Sequence, residues 1–234
     1  MISFNELKIQ QWYLIIAAGG TGSRIPSDKP KQLLYIKNHP IIYLSVFAIT
    51  RYVPVRQVII SCYPSIIDET KKIFQNFSQE VTIIAGGETR FHSIQNALAY
   101  VPDSDDTGVL IHDAARPFPS ETTIKNVMHS VEQHGACVPV IPLKESIRKF
   151  FDEGTSYAVP REKFCIVQTP QGFHASVLKK SYQTLYQKNF TDDATVVEHA
   201  GFPVTVTPGN SENIKITEPF DLQIAQLYYD SFYQ

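Results

Sequence analysis

The chain predicts an α/β fold, a doubly wound and mostly parallel sheet, on three observations. Short β-branched apolar runs alternate with segments of helical period along nearly the whole length. The runs are apolar throughout rather than at every second residue, the pattern of strands covered on both faces. The 234 residues, 43% hydrophobic and 19% charged, are enough for one sizeable core. A single domain over residues 1–234 is expected, because no repeat, low-complexity run or linker divides it.

Taken in order, residues 1–11 carry Asn5, Glu6, Lys8 and Gln10 and lack an apolar leader core, so they read as a short arm before the first strand. Strands are expected at 12–17, 57–62, 81–85, 109–112, 136–141, 165–168 and 204–207. The first helix is expected at 40–51, with Pro40 in its first turn. The second spans 65–77, with Ser65 as its cap. Further helices are expected at 89–100, 120–134, 174–186, 192–200 and 218–229, with Asp192 as an N-cap. One segment breaks the alternation. Apolar runs at 146–151 and 157–161 flank Asp152-Glu153-Gly154-Thr155, the pattern of a hairpin. A projecting hairpin has two open edges that need cover. The same hairpin of a second copy covers them most economically, so a homodimer through a β-arm at about 143–161 is expected. A flap folded back on its own domain is the alternative.

Composition excludes several function classes. The formal net charge of −2 offers no bulk attraction to nucleic acid or anionic membrane, and no basic stripe is present. No apolar stretch approaches the roughly 18 to 20 residues of a membrane span. Cys62, Cys137 and Cys165 form no Cys-x-x-Cys pair and read as small buried residues, and free thiols suit a cytoplasmic protein.

Ligands of parallel α/β sheets bind at the C-terminal ends of the strands, and the motifs of this chain fall there. The first strand runs into Ala17-Ala18-Gly19-Gly20-Thr21-Gly22-Ser23-Arg24, followed by Lys29-Pro30-Lys31-Gln32. A glycine turn brings bare backbone N–H groups to a ligand, and cations beside it make a seat for a polyphosphate. A dinucleotide fingerprint would need a third glycine where Ile25 stands, which disfavours hydride transfer; a P-loop would need Gly-Lys-Ser/Thr where Gly22-Ser23-Arg24 stands. Gly-Gly-x-Gly-x-Arg with a later Pro-Lys remains, which resembles the signature of nucleotidyltransferases that join a sugar phosphate to a nucleoside triphosphate; an ordinary strand-to-helix turn with solvated cations is the alternative.

Five further segments add chemistry. In His112-Asp113-Ala114-Ala115-Arg116-Pro117 a strand delivers an acid at its tip, suited to a magnesium ion held against phosphates, with Arg116 able to bind a phosphate. The bland alternative is that Asp113 caps the turn and pairs with Arg116. Gly86-Gly87-Glu88-Thr89-Arg90-Phe91-His92-Ser93 permits close approach to a planar base, with the Ser93 hydroxyl able to read it. Thr89 is equally a plain helix cap there, and Arg90 a solvated charge. Gln168-Thr169-Pro170-Gln171 forces an extended turn, and Arg161 follows the hairpin. Thr191-Asp192-Asp193-Ala194 opens a helix. Asn213-Ile214-Lys215-Ile216-Thr217 reads as a strand whose isoleucines face the core and whose Lys215 faces away. Alone, Lys215 is as well read as a surface lysine.

Together and in this order, over residues 13–225, these motifs resemble the 2-C-methyl-D-erythritol 4-phosphate cytidylyltransferase family. The resemblance implies a Rossmann-like fold whose β-arm builds a homodimer. It implies transfer of a cytidylyl group from CTP to a sugar-alcohol phosphate, with Mg2+ as cofactor and neither nucleic acid nor membrane as partner. Arg24, Lys31 and Lys215 would be the catalytic cations, and Asp113 the metal ligand. Ala18, Gly19, Gly20, Gly22, Gly87 and Ser93 would bind the nucleotide. Arg116, Ser146, Arg161 and Thr191 would bind the sugar phosphate, with Ser146 and Arg161 supplied by the other subunit's arm. One departure stands out: similar proteins usually carry Asp-Thr where this chain has Glu145-Ser146. That keeps open a pentitol 5-phosphate as substrate. A catalytically silent nucleotide-binding module is the alternative of a different class, although a silent module would be free to lose Arg24, Lys31, Asp113 or Lys215.

Overall fold

The computed structural model describes residues 8–20, 25–27 and 29–233. In chain order the first half contains β1 (Gln11–Ala18), the short strands β2 (Tyr35–Ile36) and β3 (His39–Pro40), α1 (Ile41–Thr50), β4 (Val55–Cys62), α2 (Ile67–Phe74), β5 (Val81–Ala85), α3 (Arg90–Leu98) and β6 (Thr107–Asp113). There follow α4 (Glu121–His134), β7 (Ala136–Pro142), the hairpin β8 (Ile147–Phe150) and β9 (Ser156–Val159), β10 (Cys165–Val167), β11 (Gln171–His174), α5 (Ala175–Ser181), α6 (Asp193–His199), β12 (Thr205–Pro208) and α7 (Pro219–Tyr233).

The main sheet has the order β10-β7-β11-β6-β1-β4-β5, with β12 also on β7. β5, β4, β1 and β6 are mutually parallel, β12 is parallel to β7, and β10 and β11 run antiparallel to their neighbours. Successive side chains of β1 point to opposite faces, and both faces are covered. Leu14 and Ile16 pack with Ile42, Val46 and Ile49 of α1 and with Ile124 and Val127 of α4. Tyr13 and Ile15 pack on the other face with Phe91 and Ile94 of α3 and Leu178 of α5. Each fully buried side chain of this kind contributes about 1.5–3 kcal/mol, so the unbroken apolar runs seen in the sequence have this double burial as their cause. A third cluster seats α7, with Phe118, Ile216 and Ala225 buried against Ile41 and Leu44.

Local signals placed the helix starts where side chains could cap them. Thr89 accepts from the His92 amide, Ser120 from the Thr123 amide and Asp192 from the Thr195 amide. Gly135 closes α4 at φ 85°, a conformation open chiefly to glycine.

Several expectations change. Ser65 does not cap a helix: it lies within a single 3-10 turn at Pro64–Ile66, because Pro64 starts that turn three residues before α2. The expected helix at 174–186 stops after Ser181. The strand expected at 165–168 is β10, and a further strand, β11, was not anticipated. From the pair Val167↔Val140 to the pair Gly172↔Cys137, the chain advances five residues against three on β7. The extra residues form a bulge at Thr169-Pro170, where proline offers no N–H to the ladder. Cys165 is exposed rather than buried, since β10 extends past the core. Residues 213–217 are not a strand. The Ile216 amide bonds the Ala115 carbonyl, but the amides before it turn back locally, Asn213 to Asn210 and Ile214 to Glu212, and no ladder forms. The isoleucine and lysine facing still holds: Ile216 is fully buried and Lys215 is not. The hairpin β8–β9 forms a separate two-stranded sheet, turning through Gly154 at φ 79°. Among the described residues, no helix is long and apolar enough to cross a membrane.

β1 and β6 meet at Trp12↔Gly108, and a Cβ on Gly108 would lie 2.6 Å from the Trp12 ring. That ring is rigid and cannot yield. Gly108→Ala is therefore expected to destabilise the fold by about 1–3 kcal/mol, read by urea unfolding with Trp12 emission as the probe.

Candidate active site

The C-terminal tips of β5, β4, β1 and β6 lie side by side, with Ala85 beside Cys62, Cys62 beside Ala18, and Ala17 beside Asp113. The turns leaving these tips enclose a cavity of about 500 Å³. Ala18, Gly19, Gly20, Lys31, Gly87, Ser93, Asp113 and Lys215 all line it, although they come from distant parts of the chain. A smaller adjoining cavity of about 240 Å³ is lined by Arg116, Thr169, Thr191 and Asp192. Asp113, Lys215 and Arg90 line both and form the partition between them. Ser146 and Arg161 line neither; they lie exposed on the β-arm, where the Arg161 guanidinium donates to the Lys144 carbonyl. Gly22 and Arg24 lie outside the described residues.

Asp113 is the electrostatic centre. Lys215 Nζ stands 2.9 Å from its Oδ2, Arg116 Nε 3.3 Å from the same oxygen, and Arg90 Nη2 4.0 Å from Oδ1. Burial opposes the Asp113 charge, but Lys215, then Arg90 and Arg116, outweigh it and hold the carboxyl well below the usual carboxylate range. Arg90 is in turn anchored by the buried Asp193, 2.6 Å from its Nη2, and Asp193 accepts from the Tyr182 hydroxyl at 2.7 Å. The wall common to both cavities thus carries two cations, Lys215 and Arg90, and one carboxylate, an excess of positive charge.

The backbone beneath Asp113 is held by a buried polar chain. Thr169 Oγ1 accepts from the Asp113 amide at 3.1 Å, so its own proton goes to His112 Nδ1, 2.8 Å away. His112 Nε2 lies 2.7 Å from the Arg116 carbonyl, which can only accept, so the ring proton sits on Nε2. Burial lowers the His112 pKa to about 4, which agrees with this neutral tautomer. Asn213 completes the frame: its side chain donates to the Thr169 carbonyl at 2.8 Å, and its carbonyl accepts from Arg116 Nη1 at 2.8 Å. With the Ile216 amide bound to Ala115, these contacts deliver Lys215 to Asp113 without a strand.

At the other end of the large cavity, backbone lies bare. A Cβ on Gly87 would come 2.4 Å from His92 Cβ, so only glycine fits there. Ser93 Oγ accepts from the Gly87 amide at 3.1 Å and donates to the Thr89 carbonyl at 2.9 Å. Its proton is spoken for, so Ser93 shapes the turn and offers a ligand only a remaining lone pair. Gln32, buried behind Lys31, donates to the carbonyls of Ala18 and Gly20 at 2.9 and 3.3 Å and fixes the start of the glycine turn.

Sequence reasoning overlooked Gln32, Asp193 and the framing role of Thr169 and Asn213. Gln32 and Thr169 lay inside motifs already singled out, and their signal was a polar side chain beside a proline or glycine turn. Arg90 had been left open as a solvated charge; it is instead a part-buried member of the partition. The Asp113–Arg116 pair, offered as the bland alternative to a ligand site, does form, and it forms within the site.

Comparison with known proteins gives one family over nearly the whole chain. A family model described as 2-C-methyl-D-erythritol 4-phosphate cytidylyltransferase matches residues 12–231. A protein of that description from Bacteroides thetaiotaomicron is 42% identical over 213 residues, covering 90% of this chain and 96% of its own. One from Porphyromonas gingivalis is 38% identical over 231 residues, covering 95% and 99%. The crystal structure of the enzyme of that name from Thermus thermophilus superposes with a TM-score of 0.75 at 27% identity, over 94% of this chain and all of that one. A 4-diphosphocytidyl-2C-methyl-D-erythritol synthase from Anaerococcus prevotii reaches 0.81 at 22% identity over 98% and 100%, a likeness of fold.

The neutral His112 generates a pH prediction. Unfolded, histidine titrates near 6.5; folded, His112 titrates at about 4. Between these values the unfolded chain binds the extra proton, so stability falls as pH falls. In chelator-containing buffer, the margin of wild type over His112→Gln should be full above pH 6.5 and shrink by up to about 1.4 kcal/mol per pH unit toward pH 4. Urea unfolding at pH 7, 6 and 5 checks this, and a constant margin would contradict it.

Proposed function

The chain belongs to the 2-C-methyl-D-erythritol 4-phosphate cytidylyltransferase family, and on that premise we propose that it transfers the cytidylyl group of CTP to 2-C-methyl-D-erythritol 4-phosphate in isoprenoid biosynthesis. A phosphate oxygen of the sugar alcohol attacks the α-phosphorus of CTP, the bond to the β-phosphate breaks, and pyrophosphate leaves. The observation that carries the reading is the cationic partition: Lys215 and Arg90, gathered on Asp113, stand between a large and a small cavity.

Both reactants are anions, so the protein must overcome their repulsion and hold them in line. Negative charge grows on the α-phosphate and the leaving group, where cations help most in the transition state. Lys31 and Lys215 are assigned to that charge, as is Arg24 by family resemblance. The bare turns at Gly19, Gly20 and Gly87, with Ala18 and Ser93, are assigned to the nucleoside. Arg116 and Thr191 are assigned to the sugar phosphate in the small cavity.

A magnesium ion suits this donor set. Among the described residues no group of three or more His, Cys, Asp or Glu side chains forms a cage. Magnesium typically takes one or two carboxylates and completes its shell with phosphates and water. Asp113 would hold it, as the one carboxylate among the described residues that lines both cavities. Bound there, the ion would neutralise charge on the triphosphate.

The arm supports a homodimer. Phe150 is 76% exposed, and Phe151, Tyr157, Phe164, Ile166 and Val167 extend the same apolar character along the arm and β10. Exposed aromatic and β-branched side chains on unpaired strands call for a partner. A neighbouring arm would cover them and bring Ser146 and Arg161 to the sugar phosphate. The enzyme is assigned to the cytoplasm, in keeping with its three free cysteines.

Pyrophosphate release should require CTP, magnesium and 2-C-methyl-D-erythritol 4-phosphate, and Lys215→Ala should lower kcat by about 10²- to 10³-fold. Turnover with ribitol 5-phosphate instead would shift the substrate to a pentitol and make Glu145-Ser146 the place to look. Phe150→Glu should shift sedimentation from dimer to monomer and lower kcat with it; full activity in a monomer would contradict the shared site.

A further inference from the structure

The large cavity has one aromatic wall, and we propose that Tyr63 stacks on the cytosine ring of the nucleotide and sets its affinity. This rests on the reading of the cavity as the CTP site. Among the described residues lining it, Tyr63 is the sole aromatic. Its position follows from the sheet. Cys62, at the tip of β4, is registered with Ala18 of β1 and Ala85 of β5, so the next residue emerges between the Gly19-Gly20 turn and the Gly86-Gly87 turn. The Gly86 amide donates to the Cys62 carbonyl at 2.8 Å and ties the two tips together.

The backbone that carries the ring is fixed. Pro64 confines Tyr63 to an extended conformation, observed at φ −58° and ψ 139°. The Tyr63 carbonyl accepts from the Ile66 amide at 3.1 Å and closes a 3-10 turn. The ring itself is 46% exposed, and among the described residues it makes no aromatic or cation–π contact. Large aromatics bury most of their area, so a half-exposed ring on a rigid turn has a face available to a planar partner. Beside it the lining includes the small residues Ala18, Gly19, Gly87 and Ser93 as well as Glu88 and Thr89, and Gly87 cannot be enlarged. A slot of bare backbone beside one aromatic face fits a planar base. The reacting phosphates are assigned to the opposite end, at Lys215 and Asp113, so Tyr63 contributes to binding rather than to the chemical step.

Base–aromatic stacking corresponds to a change of about 5- to 100-fold on removal of the ring. Tyr63→Ala is expected to raise KM for CTP by that factor with kcat close to wild type, the signature of lost uniform binding. Tyr63→Phe should retain the wild-type KM. Inhibition by inorganic triphosphate, which has no base, should be unchanged in Tyr63→Ala. In Tyr63→Trp, CTP should quench the new indole while triphosphate should not. Unchanged KM in Tyr63→Ala, or equal weakening of CTP and triphosphate, would overturn the inference while leaving the enzyme reading intact. A wild-type protein that neither binds nor turns over CTP would overturn that reading and the inference with it.

Discussion

The carboxylate of Asp113 is the interaction on which the rest of the site depends. A buried carboxylate stays charged only if cations and donors compensate it, and here three cations approach it from three parts of the chain. Arg116 comes from the same turn, Arg90 from the start of α3, and Lys215 from an irregular segment beyond β12. The compensation works in both directions. The same cations that keep Asp113 ionised are held by it in the wall between two anion-sized cavities, ordered before any phosphate arrives.

That arrangement is made possible by a frame with little charge of its own. Neutral His112, Thr169 and the Asn213 side-chain N–H bond one another and the surrounding backbone, which holds the loop after β6 in place. The bulge at Thr169-Pro170 has a use in this light. It turns the Thr169 side chain under Asp113 while the strand on either side continues along β7. Arg90 is tied down by a second buried carboxylate, Asp193, at the N-terminus of α6. The two cavities are therefore braced from opposite faces of the sheet.

The sheet explains why such distant residues meet. Parallel strands bring their C-terminal ends to one edge, and double winding buries both faces, leaving that edge as the place where polar groups can converge. One end of the large cavity is built from bare backbone at Gly19 and Gly87, and the wall it shares with the small cavity is built from charges. The β-arm lies apart from both: Ser146 and Arg161 line neither cavity, and Phe150 and Tyr157 are exposed.

The sequence by itself determined the α/β class, most of the alternating strands and helices, the caps at Thr89 and Asp192, and the hairpin, because these depend on local periodicity, turn chemistry and capping. It also marked most of the lining residues, since glycine turns and charges at strand ends are local patterns. Tertiary structure alone decided the rest. Lys215 looks like a surface lysine until Ile216 docks on Ala115, and Arg90 looks solvated until Asp193 arrives from about a hundred residues away. The antiparallel β11, the exposure of Cys165 and the occupied proton of Ser93 depend on which neighbours long-range packing supplies, and no local pattern encodes a partner that distant in the chain.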